Sequence, residues 1–243
     1  TLDGFDAVVN LVGEPVLDKR WTPRVRQTLR ESRLKSTKRL VEAIEAAPAG
    51  RRPRVLVSAS AVGYYGDRGN ELLPERAERG QGFLAELCAD WEAAAKAVSI
   101  RSVQLRIGIV LGLGGGALGS MLPIFRKGLG GPLGLGRQFM PWVHIDDVVA
   151  LILRGLDDER WAGPINATSP GVVTNAVFSR ELGRALHRPA VFAAPRLALM
   201  AALGPGSAVL LSSQRCVPEA AKDLGFGFKH TDVASALQDI LGG

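Results

Sequence analysis

Three short apolar runs constrain this chain more than any other feature. Asp6–Val12 (DAVVNLV), Arg54–Ser58 (RVLVS) and Ser102–Leu111 (SVQLRIGIVL) are nearly continuous in Val, Leu and Ile, without clean alternation. That pattern marks strands covered on both faces. A helical stretch beginning near Pro23 and running to about Ala47 separates the first two, and another from Gln81 to about Ser99 separates the second and third. Long helical connections are what parallel strands require, and right-handed crossovers then build an α/β, doubly wound parallel sheet. Ligands of such sheets bind outside the carboxyl ends of the strands. Those ends are Asn10–Gly13, Ser58–Gly66 and Ile107–Gly112.

The second half is less regular. Ile145–Leu156 reads as a helix with Asp146 and Asp147 in its first turn, where the dipole favours acids. Gly163–Ala167 reads as a short strand and Thr174–His187 as a helix. Ala-, Leu- and Pro-rich segments from Val191 onward, with a last helix near Asp232–Ile240, form a smaller, mainly helical lobe.

Composition removes several function classes. No apolar run reaches the roughly 18 residues of a membrane span, so no membrane partner is expected. Cys88 and Cys216 are too few for a disulfide scaffold or a four-ligand zinc site. His144, His187 and His230 are widely spaced and lack H-x-x-x-H or cysteine partners, so no metal is expected and two of the three read as surface residues. The net charge of +6 is concentrated between Lys19 and Arg39, where nine basic residues meet one acid, Glu31. That segment reads as a solvated helix face capped by Thr22, and no aromatic residues interleave with it beyond Trp21. Nucleic acid is therefore not an expected partner. Gly114–Gly119 (GGGALG) satisfies G-x-G-x-x-G, but no apolar strand with a ribose-binding acid follows, and it reads as a loop over a pocket. No G-x-S-x-G elbow surrounds any serine.

The stretch Ser58–Gly66 (SASAVGYYG) sits at the end of the middle strand. Its hydroxyls can bind a substrate oxygen, or they can satisfy the backbone of a tight turn; the residues alone leave both readings open.

In order, VVNLVGEP, SASAVGYYG, LRIGIVLG, GRQFMPWVHIDDVV and INATSP resemble the extended short-chain dehydrogenase/reductases, the NAD-dependent epimerase/dehydratase family. With FLAELCADWEAAAKA, GGGALGSMLPIFRKGLGGPLGLG and ALHRPA…RCVPEAAKDLGFGFKH, the chain is similar to an atypical, epimerase-like branch, labelled in places cell-division-inhibitor-like. The resemblance implies a Rossmann-like fold: residues 1–110 as a partial NAD(P)-binding domain, and 111–243 as a substrate-binding lobe with 141–168 returning to the sheet. It implies that Asn10, Leu11, Val12 and Gly13 pass the adenosine half of the cofactor. Ser58 and Ala59 lie beside the nicotinamide ribose, and Arg106, Gly108, Ile109 and Val110 flank the nicotinamide. Ser60 is the implied catalytic hydroxyl that binds the substrate oxygen, and Arg137 and Gln138 face substrate; Tyr64, Tyr65 or Glu86, by their position beside the pocket, are the candidate proton donors. The cofactor is NAD or NADP, with NADP favoured by the positive potential of the basic helix. The location is cytoplasmic, and a dimer is compatible with the sequence.

Two departures qualify this. Typical members carry Y-x-x-x-K on the helix after the serine strand, the lysine lowering the tyrosine's pKa; here Phe83–Cys88 stands in that place. The chain also begins at Thr1, directly before a strand, where a complete relative has a strand, a glycine turn and a helix. A preceding segment is thus expected, and without it weak dinucleotide binding and an uncovered sheet edge. Two functions follow. One is an NAD(P)-dependent oxidoreductase or epimerase acting on a small polar metabolite. The other is a non-catalytic, division-related dinucleotide sensor.

Overall fold

The parallel sheet implied by the apolar runs is present, and its faces sort the side chains. The computed structural model describes residue 2 and residues 4–242. Strand β1 (Ala7–Asn10) leads into α1 (Pro23–Glu45), whose N-cap Thr22 accepts from the Val25 amide and whose first residue is Pro23. β2 (Val55–Ala61) follows, then a 3-10 turn at Val62–Tyr65, the short β3 (Leu72–Leu73) and α2 (Phe83–Lys96). β4 (Arg101–Ile107) and β5 (Ile109–Leu111) share the third apolar run. After α3 (Gly116–Arg126), β6 (Phe139–Met140), β7 (Trp142–His144) and α4 (Ile145–Asp157), β8 (Gly163–Ala167) completes the main sheet. Its order is β1-β2-β4-β8, and every pairing is parallel.

One face of the sheet presents Val55, Val57, Val103, Leu105 and Ile165 to Leu151 of α4 and to Trp161. On the other, Leu56 meets Val41 and Ile44 of α1 and Ala95 of α2. The C-terminal part of the chain comprises β9 (Val173–Thr174), α5 (Asn175–Ala185), α6 (Arg196–Leu203), α7 (Ala208–Leu211), β10 (Arg215–Cys216), α8 (Glu219–Asp223) and α9 (Val233–Leu241). A second core joins it to the sheet's end through Leu118, Phe125, Trp142, Phe178, Leu182 and Leu237.

Three expectations are revised. Ser102–Leu111 is two strands, because Gly108 lets the chain change partners. Its N–H bonds the Ala167 carbonyl at 3.1 Å, and the next amide, Ile109, bonds Pro141 at 2.7 Å. A Cβ at 108 would lie 2.1 Å from the Pro141 carbonyl oxygen, so only glycine fits there. The GGGALG stretch is not wholly loop: α3 starts at Gly116 and buries Leu118, Leu122 and Phe125 despite Pro123. Only His187 among the histidines is exposed, since His144 and His230 are buried.

Among the described residues, no helix is long and apolar enough to cross a membrane. β1 lies at the sheet's edge with no partner on its outer side among the described residues, and Phe5, Val9, Leu11 and Val12 are exposed around it.

Candidate functional site

In the strands, most residues directed at α1 and α2 should be apolar, yet a polar row crosses the sheet there. Ser60 of β2, Arg106 of β4 and Asn166 of β8 are adjacent in register. One step back, so are Asn10, Ser58 and Gln104. All six are buried. Buried polar groups cost free energy unless paired, so the partners define the site.

α2 delivers the main one, Glu92, which is 3% exposed. Its carboxylate takes both arms of Arg106, Nε on Oε1 at 2.8 Å and Nη2 on Oε2 at 3.0 Å, and the Ser60 hydroxyl donates to Oε1 at 2.8 Å. Arg106 Nη1 donates to the Tyr65 hydroxyl at 2.9 Å and to the Glu75 carbonyl at 3.0 Å. Tyr65 in turn donates to Asn166 Oδ1 at 2.7 Å. The Asn166 amide group donates to the Leu73 and Val217 carbonyls, and Glu75 Oε1 accepts from the Asn166 backbone. The Arg106 guanidinium also lies 3.5 Å from the centre of the half-buried Tyr64 ring, within cation–π range. Bidentate, charge-assisted bonding of this kind fixes geometry as well as energy.

The electrostatics follow from burial. Burial works against the charged form of Arg106, but the bonds to Glu92 and the contact with Tyr65 outweigh it and raise its pKa. Burial likewise pushes the Tyr65 phenol above its ordinary value, the Arg106 cation offsetting only part of that. Tyr65 is therefore a neutral hydroxyl at physiological pH. Burial, with the Glu92 charge behind it, pushes the Cys88 thiol up to about 12.

A smaller network shapes the end of β1. Asn10 Nδ2 donates to Thr37 Oγ1 at 2.9 Å and to Ser58 Oγ at 3.3 Å, while its Oδ1 accepts from the Val12 amide. Leu11 and Val12 leave this turn 55% and 54% exposed. Gly13 follows, and a Cβ there would meet the Arg33 guanidinium at 2.9 Å. An exposed apolar shelf thus lies beside a cation at the end of β1.

Where the resemblance places the tyrosine and lysine, the surface is apolar. Phe83, Leu84 and Leu87 pack with Trp21, Leu29 and Val209, and a Cβ on Gly63 would touch Leu84 at 3.3 Å and Cys88 Sγ at 3.5 Å. The turn carries neither a tyrosine nor a lysine; its ionisable groups are the exposed Glu86 carboxyl and the buried Cys88 thiol.

Of the residues singled out in the sequence, Ser60, Tyr64, Tyr65 and Arg106 are brought into one network. Asn10 and Ser58 share the second. Ala59 is buried between them, and Gly108, Ile109 and Val110 are half-buried beyond β4. Gln138 spends its amide on the Leu133 and Leu210 carbonyls, while Arg137 is exposed. Their turn reaches the Val62–Gly66 turn through Gln214, whose amide group donates to the Val62 and Gly66 carbonyls. Glu92 and Asn166 were missed. Their signal lay in the strands, where polar residues recur in alternate positions of otherwise apolar runs and need a buried counterpart.

At the corner before α4, His144 and His230 stack with ring centres 3.7 Å apart. His144 Nδ1 accepts from the Asp146 amide as the helix cap, and Lys229 holds the Asp146 carboxylate at 3.0 Å. Asp147 accepts from the Lys229 and His230 amides. No residue spacing pointed to this cluster. The Nε2 atoms of both histidines are buried without a hydrogen-bond partner, and His144, Asp146 and His230 lie close enough together to share a metal ion.

The matches to known proteins run the length of the chain. Residues 1–167 match the model of the NAD dependent epimerase/dehydratase family, and residues 194–240 match a domain of unknown function, DUF1731. The chain is 42% identical to the chloroplastic SDR39U1 homolog of Arabidopsis thaliana, an epimerase family protein, over 99% of this chain and 70% of that one. An epimerase family protein of Mycobacterium tuberculosis, MT2273, is 41% identical over 97% of this chain and 78% of its own length. The crystal structure of human SDR39U1 (isoform 2) with NADPH superimposes with a TM-score of 0.93 at 36% identity, covering 98% of this chain and 82% of that chain. A nucleoside-diphosphate sugar epimerase from Corynebacterium glutamicum superimposes at 0.77 with 35% identity, over 99% of this chain and 47% of that one. The four-stranded parallel sheet agrees with these matches, and the chain belongs to the NAD-dependent epimerase/dehydratase family.

Proposed function

We propose that this protein binds NADP(H) across the carboxyl ends of β1, β2 and β4 and acts as an oxidoreductase or epimerase on a small polar metabolite. When bound, the cofactor supplies hydride acceptance and return, and the protein supplies orientation. Leu11 and Val12 would carry the adenosine half, with Asn10 ordering their turn and Gly13 leaving room for Arg33. The backbone at Gly108–Val110 would flank the nicotinamide, while Ser58, Ala59 and Arg106 support these strand ends from beneath. The outer edge of β1 fits one further strand, and we assign pyrophosphate binding to a segment that pairs there. NADP rather than NAD is favoured by the human relative's ligand and by the basic α1.

Proton exchange with substrate falls to Tyr64. Ser60 and Tyr65 act as positioning residues, because Glu92 and Asn166 hold their hydroxyl protons. Arg137 would meet an anionic group of the substrate, on the turn that Gln138 holds. The observation that carries this reading is the clamp of Arg106 on the Tyr64 ring, fixed from below by Glu92. The test screens nucleotide sugars and small hydroxy and keto metabolites with NADP(H). Tyr64→Phe should lower turnover by about 10²–10⁴-fold with NADPH affinity unchanged; full turnover in that variant would sink the assignment.

The apolar packing of Leu84 and Cys88 on Gly63 favours a second reading, a dinucleotide sensor without turnover. Tight NADPH binding with no product across the whole panel would select it.

A further inference from the structure

We propose that the C-terminal lobe docks peripherally on anionic lipid bilayers, through the segment 191–202 and the turn beside it. This is independent of the cofactor reading.

The segment 191–202 reads VFAAPRLALMAA, apolar but for Arg196. An apolar stretch of this length is normally core. Here α6 buries no residue among those described, and Val191 (73%), Phe192 (57%), Leu197 (79%) and Met200 are exposed. Backbone bonds lay the segment beside a second exposed stretch: Phe192 N–H to the Gly130 carbonyl at 3.1 Å, and Ala194 N–H to Pro132 at 2.9 Å. That stretch contributes Leu129 and Leu135, the latter 78% exposed. A contiguous apolar patch of this kind marks an interaction surface.

Charge identifies the occupant. No Asp or Glu falls between Glu92 and Asp146, or between Glu181 and Glu219. The cations Arg126, Lys127 and Arg188 outside the segment and Arg196 within it are all exposed. Apolar side chains flanked by Lys and Arg, in two runs of sequence that carry no acid, are the composition of an element lying in a membrane interface. A second copy of the chain on a two-fold axis would face these cations with themselves. Two surface clefts lie elsewhere, one between Arg68 and Glu219 and one between α1 and α2. A protein partner anchors its hot-spot side chains in pockets, whereas a bilayer needs none. At eight residues α6 is far too short to span, so it lies along the surface. Among the described residues no helix is long and apolar enough to span, and surface docking is a different mode of attachment.

The test is co-flotation of the natural-length protein with phosphatidylcholine vesicles, with and without phosphatidylglycerol. Binding should be at least ~10-fold stronger to the anionic vesicles and should fall steeply between ~0.1 and ~0.5 M salt. Phe192→Asp/Leu197→Asp should abolish it, and Arg126→Ala/Arg196→Ala should weaken it. All four side chains are exposed, so circular dichroism melts should match the wild type. Equal binding to both vesicle types, no binding, or binding unchanged in the Asp variant would overturn the proposal. So would a concentration-dependent dimer in sedimentation that the Asp variant abolishes, which would assign the patch to a second copy.

Discussion

Replacing Glu92 with Gln isolates the charge at the centre of the buried network. The substitution is nearly isosteric, so it opens no cavity, but it leaves the Arg106 guanidinium buried without a counter-ion. Both side chains of the pair are 3% exposed, and the carboxylate takes three short bonds, two from Arg106 and one from Ser60. Breaking a buried pair from one side costs about 3–5 kcal/mol, because the remaining charge stays desolvated. Arg106 keeps its bonds to Tyr65 and the Glu75 carbonyl, which places the cost near the lower figure. For a chain of this size about 3 kcal/mol corresponds to a fall in Tm of roughly 6–12 °C. Differential scanning calorimetry reads it directly. Glu92→Leu/Arg106→Met, which removes both charges, should melt above the sum of its single variants, since no unpaired ion remains. A Glu92→Gln Tm within ~2 °C of wild type, or additive singles, would refute the view of this pair as a desolvated, mutually dependent unit.

Three further outcomes follow from the geometry. Tyr65→Phe leaves Asn166 Oδ1 buried without its donor and should cost about 1–3 kcal/mol by chemical denaturation, whereas Tyr64→Phe should cost well under ~1 kcal/mol. Gly108→Ala drives a Cβ into the Pro141 carbonyl and should lower stability by about 2 kcal/mol or more, read as a shifted urea midpoint with unchanged slope. Burial and the neighbouring His230 depress the His144 pKa below its ordinary value. The unfolded chain then binds the proton more readily, so this contribution is complete above the usual histidine pKa of about 6.5 and is lost as pH falls through it. Melting temperatures measured from pH 8 to pH 5 should decline less steeply in His144→Asn than in wild type.

Local signals made the sheet readable in the sequence, because strands covered on both faces must be apolar throughout. They also gave the N-cap at Thr22 and the strand at Gly163–Ala167, where capping and turn chemistry act over a few residues. Gly108 was harder, since its requirement comes from a carbonyl 33 positions away in the chain. The same holds at the site. Ser60, Tyr64, Tyr65 and Arg106 stood out by type and place, but Glu92 looked like one more acid on a helix. Only the register that sets Ser60 beside Arg106 and Asn166 shows why a carboxylate is buried there. The histidine pair failed for a related reason: His144 and His230 meet through the packing of α4 against the chain's last segment, which no spacing rule encodes. The exposed apolar α6 was equally hidden, because an apolar helix reads as core until its neighbours are known.

NADPH titration of the natural-length protein, followed by fluorescence, tests the central claim most directly when wild type is set against Leu11→Asp. Leu11 is 55% exposed on the shelf at the end of β1, so the substitution should leave folding intact while placing a negative charge beside the bound nucleotide. Saturable binding that weakens by about tenfold or more in Leu11→Asp is the expected result. No saturable binding by wild type, or an affinity indifferent to Leu11→Asp, would contradict a cofactor site at these strand ends.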